Sequence, residues 1–229
     1  MAYDGVLRRE VLSTTVASSY KLTGASRMDF AVKCSTGSHQ VSYAGKVIAE
    51  LQSSVGTTTI ATPFDNGATW QPFSHKPTTW QPFSHYYLED LRNTAADDFH
   101  NIDVGSNFIN GESWDEATPI ATCDYDTVQE WTISASDANP FHLHLYHMQI
   151  VEPGGCGVHE EGEYYDTISY DGSCTVRFRM TDVGGRCVMH SNNLANKDNG
   201  AMAWVDVQEG PPPAVFNPDV AAGSCPGLV

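Results

Sequence analysis

From about residue 100 onward the apolar residues of this chain fall in short runs that alternate with polar ones. Gly, Pro, Asn and Asp separate the runs, and such a pattern admits a β-sandwich or barrel and little else. The runs lie at 103–104, 107–110, 127–133, 141–151, 175–180 and 202–207, and no apolar stripe at helical spacing competes with them beyond 87–93. A second strand-like stretch covers 28–34, then a turn at Ser35-Thr36-Gly37-Ser38, then 40–43, Ala44-Gly45 and 46–51. It predicts an antiparallel, hairpin-rich segment too short to close a sandwich alone.

Between these regions the pattern dissolves around a direct repeat, in which Thr69-Trp70-Gln71-Pro72-Phe73-Ser74-His75 returns as Thr79-Trp80-Gln81-Pro82-Phe83-Ser84-His85. A ten-residue period is too short for a solenoid unit. The plain reading is a local duplication inside a linker. The sharper one is a docking strip made of Trp70, Phe73, His75, Trp80, Phe83 and His85. The end of the chain, from Glu209 through Pro211-Pro212-Pro213 to Val229, reads as an extended tail.

Charge narrows the partners. Twelve Lys+Arg stand against 28 Asp+Glu, a formal net charge of −16, which repels phosphate backbones and anionic lipid. Nucleic acid is therefore excluded as an expected partner, and no window is apolar over the roughly 18 residues a membrane span needs. The start, Met1-Ala2-Tyr3-Asp4-Gly5, shows no signal peptide. Six cysteines (Cys34, Cys123, Cys156, Cys174, Cys187 and Cys225) contain no C-x-x-C pair. Their even number in a Gly-, Ser- and Thr-rich β sequence leans towards disulfides and a secretory or extracellular destination, with buried free thiols as the alternative.

Histidines gather in Asn139-Pro140-Phe141-His142-Leu143-His144-Leu145-Tyr146-His147. On a strand His142 and His144 share a face, and two imidazoles on one face make half of a Cu or Zn site. His147 has the opposite parity and should face away. His39, His75, His85, His100 and His159 stand alone and read as surface residues.

A second segment, Gly185-Arg186-Cys187-Val188-Met189-His190-Ser191-Asn192-Asn193-Leu194-Ala195-Asn196 on to Ala201-Met202, gives the first its meaning. Together the two resemble the copper motifs of the multicopper oxidases (laccases and relatives), His-Pro-x-His-x-His and His-Cys-His-x-x-x-His. Phe108-Ile109-Asn110-Gly111-Glu112-Ser113-Trp114 and Thr127-Val128-Gln129-Glu130-Trp131-Thr132-Ile133 are similar to strands of that family's last domain. So is Tyr165-Asp166-Thr167-Ile168, while Gly24 to Cys34 resembles the end of its middle domain. The resemblance implies an all-β, cupredoxin-like Greek-key β-sandwich at 98–208, a middle-domain remnant at 1–60, a linker at 61–97 and a tail at 209–229.

The same resemblance implies that most copper ligands have been replaced. The blue-site positions fall on Asn139, Ser191 and Asn196, with Ala201 at the axial position, and none of these replaces imidazole or thiolate for copper. Of the three-copper cluster positions, His142, His144 and His190 are kept and Asn192 is not. The remaining cluster ligands belong to a first domain with no counterpart here. Copper is the family's cofactor; here the expectation is no blue site, with the three histidines read first as leftovers hydrogen-bonded in the sheet and, as the alternative, as holders of one residual Cu or Zn.

Three functions follow. The first is a degenerate, non-catalytic binding or structural protein. The second is a copper-dependent oxidoreductase that works only when another chain completes the N-terminal half-domain and supplies the missing ligands. The third is a small Cu/Zn-binding protein.

Overall fold

The computed structural model describes residues 2–4, 6–7, 22, 26–29, 35–54, 88–181 and 184–208. They belong to two compact units, one holding the described residues up to Asp29 and from Leu88 on, the other those between Ser35 and Ser54. Trp70, Phe73, His75, Trp80, Phe83 and His85, with the repeat that carries them, lie outside the described residues, as does the tail.

The first unit opens with β1 (Ala2–Tyr3), β2 (Val6–Leu7) and β3 (Met28–Asp29), paired in the order β2-β1-β3. The second unit is a hairpin of β4 (Gly37–Tyr43) and β5 (Lys46–Ser53). Ala44 and Gly45 both take positive φ, 48° and 76°, as a two-residue turn matched to strand twist requires.

The sandwich of the first unit follows the alternation read from sequence. Its strands are β6 (Asp98–Asp103), β7 (Ala121–Asp124), β8 (Val128–Ala135), β9 (Phe141–Leu143), β10 (Met148–Ile150), β11 (Tyr164–Tyr165) and β12 (Thr167–Ile168). After them come β13 (Gly172–Arg179), β14 (Gly185–Ser191), the short helix α1 (Leu194–Asp198) and β15 (Met202–Gln208). One five-stranded sheet runs β11-β10-β13-β8-β6 and the other β12-β9-β14-β15-β7. At one edge of each sheet the last pair, β6 with β8 and β7 with β15, is parallel, and the other strand pairs of the two sheets are antiparallel. The result is the all-β, cupredoxin-like sandwich.

The inward faces of both sheets meet in one apolar core. Trp131 is fully buried, with Phe178 edge-on at 4.9 Å and Phe141 tilted across the layer at 6.4 Å. The Cys156–Cys174 disulfide ties the loop after β10 to β13, while Cys123 and Cys187 are buried free thiols; Cys34 and Cys225 lie outside the described residues.

Three readings are corrected. Residues 141–151 are not one strand: β9 and β10 sit in different sheets, and 144–147 carry the chain between them with Leu145 at φ +73°. The loop's direction change breaks the period-two pattern that the sequence appeared to continue. Second, a helix forms at α1, where Asn193 caps it by accepting from the backbone N–H groups of Ala195 and Asn196. Third, residues 88–97, assigned to a linker, pack on the sandwich. Leu91 is buried there, its N–H donates to Gln149 Oε1 at 2.7 Å, and Arg177 donates to the carbonyls of Leu91, Arg92 and Thr94.

Candidate metal centre

Strand pairing assembles the three histidines. On β14 the side chains of Cys187, Met189 and Ser191 enter the core, so His190 faces outward, as does His142 on β9. The antiparallel register sets His190 directly opposite His142, with ring centroids 5.2 Å apart. His144 lies one residue beyond β9, yet its N–H donates to Val188 O, and its ring stays 5.0 Å from His142 and 4.9 Å from His190. The ligating nitrogens of the three all lie within 4.8 Å of one another.

The surroundings fix the tautomers. His142 Nδ1 is 2.8 Å from Asp166 O and His190 Nδ1 is 2.9 Å from Ser191 O. Carbonyls only accept, so both Nδ1 atoms carry the proton and both Nε2 atoms present lone pairs. A carbonyl behind each imidazole is the support that metal-ligating histidines ordinarily have. His144 Nε2 meets His190 Nε2 at 2.9 Å. Two nitrogens that far apart subtend about 90° at an ion held by bonds of about 2.0–2.1 Å. Burial, reinforced by His142 and His144, depresses His190 to about 4, outweighing its backbone hydrogen bond to Ser191. His144 is lowered too, by burial and then by His142. Neutral rings at pH 7 are the form that binds a metal. The donor set therefore fits one Cu or Zn ion.

Behind His142 stands a polar network that sequence reading missed. Thr167 Oγ1 lies 3.2 Å from His142 Nδ1, donates to Asp166 Oδ1 at 2.8 Å, and accepts from Asn192 Nδ2 at 3.0 Å. Asn192 thus braces Thr167 and stays out of the imidazole group. Arg27 Nη2 reaches Asp166 Oδ2 at 2.6 Å. Burial raises the Asp166 carboxyl, but hydrogen bonds from Arg27 and Thr167 outweigh it and hold the group below its ordinary value. Asp4, buried and beside Asp166, is pushed up to about 6. His147 turns away from the trio and donates through Nε2 to Asp4 O at 3.1 Å.

Asn139, Ser191, Asn196 and Ala201 also converge, around the inward end of β14. Ser191 is fully buried, its N–H donates to Ala201 O at 2.9 Å, and its hydroxyl accepts from Asn193 N at 3.3 Å. Asn196 Nδ2 donates to Asn139 Oδ1 at 2.5 Å and to Ala138 O at 3.1 Å. Asn139 Nδ2 in turn donates to Ser136 Oγ at 3.4 Å, and the four residues offer neither thiolate nor imidazole. These residues do not fit a blue copper ion.

Two histidines read as isolated surface residues are not. His159 is buried, with Nε2 accepting from Ser169 N at 2.9 Å. His100 is half-buried between Asp98 and Trp131. The Asp98-x-His100 spacing was visible as two ligating side chains on one strand face, but their third neighbour, Cys123, is 23 residues from His100 and had no local signal.

The multicopper oxidase family profile matches residues 80–211. No curated protein matches. Among solved structures, a laccase from Pediococcus acidilactici Pa5930 is similar at 20% identity and TM-score 0.40 over 48% of this chain and 26% of its own. The McoA multicopper oxidase of Aquifex aeolicus is similar at 18% and 0.45, over 58% and 34%. A multicopper oxidase from Campylobacter jejuni, described as a metallo-oxidase, stands at 15% and 0.44, over 56% and 32%. The chain thus spans between a quarter and about a third of the length of these structures. With a match over more than half its length and an all-β sandwich beneath it, the chain belongs to the multicopper oxidase family.

Proposed function

We propose that this chain, taken alone, is a non-catalytic multicopper-oxidase-like protein with a binding or structural role, holding one Cu or Zn ion on His142, His144 and His190. One observation supports the reading: at the positions that resemble the family's blue-site ligands, an Asn196–Asn139 amide pair and a buried Ser191 hydroxyl come together, with neither imidazole nor thiolate among them. A metal bound at the three histidines would supply a Lewis-acidic centre with room for further ligands. The chain's own part is to hold the His142 and His190 Nε2 lone pairs outward, through the Asp166 and Ser191 carbonyls. The Cys156–Cys174 disulfide supports secretion into an oxidising compartment.

A second reading is favoured by the position of the trio. It lies on the outer face of its sheet, where a domain from another chain could add ligands and complete an oxidase.

Copper-loaded protein tests both. A Cys123→Ser background removes one free thiol whose own copper–thiolate signal would overlap the visible spectrum. In it the Ser191 position should give no intense blue band, and adding Ser191→Cys should not create one, since Asn139 and Asn196 remain. No oxygen uptake with a phenolic substrate is expected. Uptake by the chain alone overturns the proposal; uptake only after a second polypeptide is added establishes the split-oxidase reading instead.

A further inference from the structure

Strand β6 spends two core-facing positions on metal-binding side chains. Alternation puts Asp98, His100 and Ile102 on its inward face, where Ile102 joins the apolar core. Asp98 and His100 occupy the same face nearer the start of the strand, at the open edge of the sandwich. From β7, the edge strand of the opposite sheet, the buried Cys123 points at them. The Asp98, His100 and Cys123 ligand atoms lie within 4.8 Å of one another.

The three are graded from rim to floor: the Asp98 side chain is 49% exposed, His100 22%, and Cys123 only 1% as a residue. His100 Nε2 is 3.0 Å from Asp98 Oδ2 and 3.9 Å from Cys123 Sγ. With bonds of about 2.0–2.2 Å to N and O and about 2.3 Å to S, those separations subtend roughly 90° and 130° at a single ion, bracketing the tetrahedral angle. Each ligand is also held from behind. The Phe99 N–H donates to Asp98 Oδ1 at 2.8 Å and turns Oδ2 towards His100. The His100 ring stands edge-on to Trp131 at 5.7 Å. The Cys123 thiol lies 3.4 Å from Gln129 Oε1, a further oxygen donor at the floor.

We propose that Asp98, His100 and Cys123 form a second metal site, of the Zn(II) class, which clips the edge strands of the two sheets together and leaves a coordination position open to solvent. A mixed carboxylate, imidazole and thiolate set excludes the hard Mg and Ca cations and suits a borderline ion. Without metal the thiol is pushed up to about 12, by burial and then by Asp98 and Asp124, so it stays protonated. Binding displaces that one proton to solvent.

Co(II) titrated into the full, disulfide-intact chain reads the site directly, because a thiolate bound to Co(II) gives a near-ultraviolet charge-transfer band. The band is expected in the natural sequence and in His144→Ala, and lost in Cys123→Ser. Absence of the band in the natural sequence, or its persistence in Cys123→Ser, overturns the proposal. Since Cys123 is buried, a second variant guards against misfolding. His100→Gln, at a partly exposed position, should keep the far-ultraviolet dichroism and weaken the Co(II) band titration at least about tenfold. Unchanged affinity overturns the site. Loss of the band in His144→Ala but not in His100→Gln would overturn the proposal as well, since the thiolate-bound cobalt would then depend on His144 and not on His100.

Discussion

Replacing Trp131 measures how the sandwich is held together. Its indole is fully buried between the layers, in contact range of Phe178, Phe141 and His100. An aromatic of this size removes about 150–250 Å² from water, which at about 25 cal/mol/Å² is about 4–6 kcal/mol. A compact unfolded chain lowers that figure by roughly 10–40%. Trp131→Ala should therefore cost about 3–5 kcal/mol, in line with other buried aromatic truncations. The indole also carries a penalty: among the described residues its Nε1 is buried with no hydrogen-bond partner. Leaving a donor in that state costs about 1–3 kcal/mol, so Trp131→Phe, which removes the donor and keeps most of the ring, should stay within about 1 kcal/mol of the natural protein. Urea denaturation followed by circular dichroism, comparing midpoints at equal m-value, gives both numbers. An alanine cost below about 1 kcal/mol would place Trp131 outside the core. A phenylalanine cost above about 3 kcal/mol would mean that the N–H is satisfied after all and that the ring's full shape is required.

Two further outcomes test the loops and the metal centre. Cys156 and Cys174 are 18 residues apart, and closing a loop of that length restricts the unfolded chain by about 3 kcal/mol, so the double Cys→Ala variant should lose about that much in urea titration. In metal-free protein His190 ionises near 4 against an ordinary 6.5, so the folded state binds fewer protons; stability present above 6.5 is lost as pH falls towards 4. Asp4, raised to about 6, works in the opposite sense, so the decisive quantity is the difference between the natural chain and His190→Gln. After solvent screening that difference should be on the order of 1–2 kcal/mol between pH 7 and pH 4.5, and equal acid sensitivity in the two would refute it.

Strand periodicity was legible because it is local. From Gln129 to Ala135 every second side chain is buried, and Trp131, Ile133 and Ala135 show the same alternation in the sequence. The convergence of His142 and His190 also follows from parity once both lie on paired strands. The crossing at 144–147 was not legible, since Leu145 and Tyr146 continue an apolar pattern while the backbone leaves the sheet. His144 stays with the trio through its hydrogen bond to Val188 O, a tertiary contact. The Asp98–His100–Cys123 cluster depends on which strands lie at the two sheet edges, and residue spacing does not encode that. The network of Arg27, Asp4 and Asp166 joins residues 139 and 162 positions apart, beyond any local pattern.

On the reading proposed above, the replaced ligand positions fall on the part of the fold that can change without loss of shape. The core residues of β14, Cys187 and Met189, point one way and His190 the other, so a ligand on the outer face can change without disturbing the packing beneath it. Ser191 points inward, but at the strand end, where it meets the 136–140 loop and the start of α1. A metal there would join that loop to the segment after β14. The amides make the same mechanical link, since Asn193 and Asn196 both donate to Ala138 O, and Asn196 also to Asn139. Three hydrogen bonds between uncharged groups, each worth about 0.5–1.5 kcal/mol, are enough to pin a short loop. They supply no electron acceptor. Hydrogen bonds between amides thus hold the shape of this corner of the sandwich without a metal, which is how the proposed loss of the blue site is compatible with the fold.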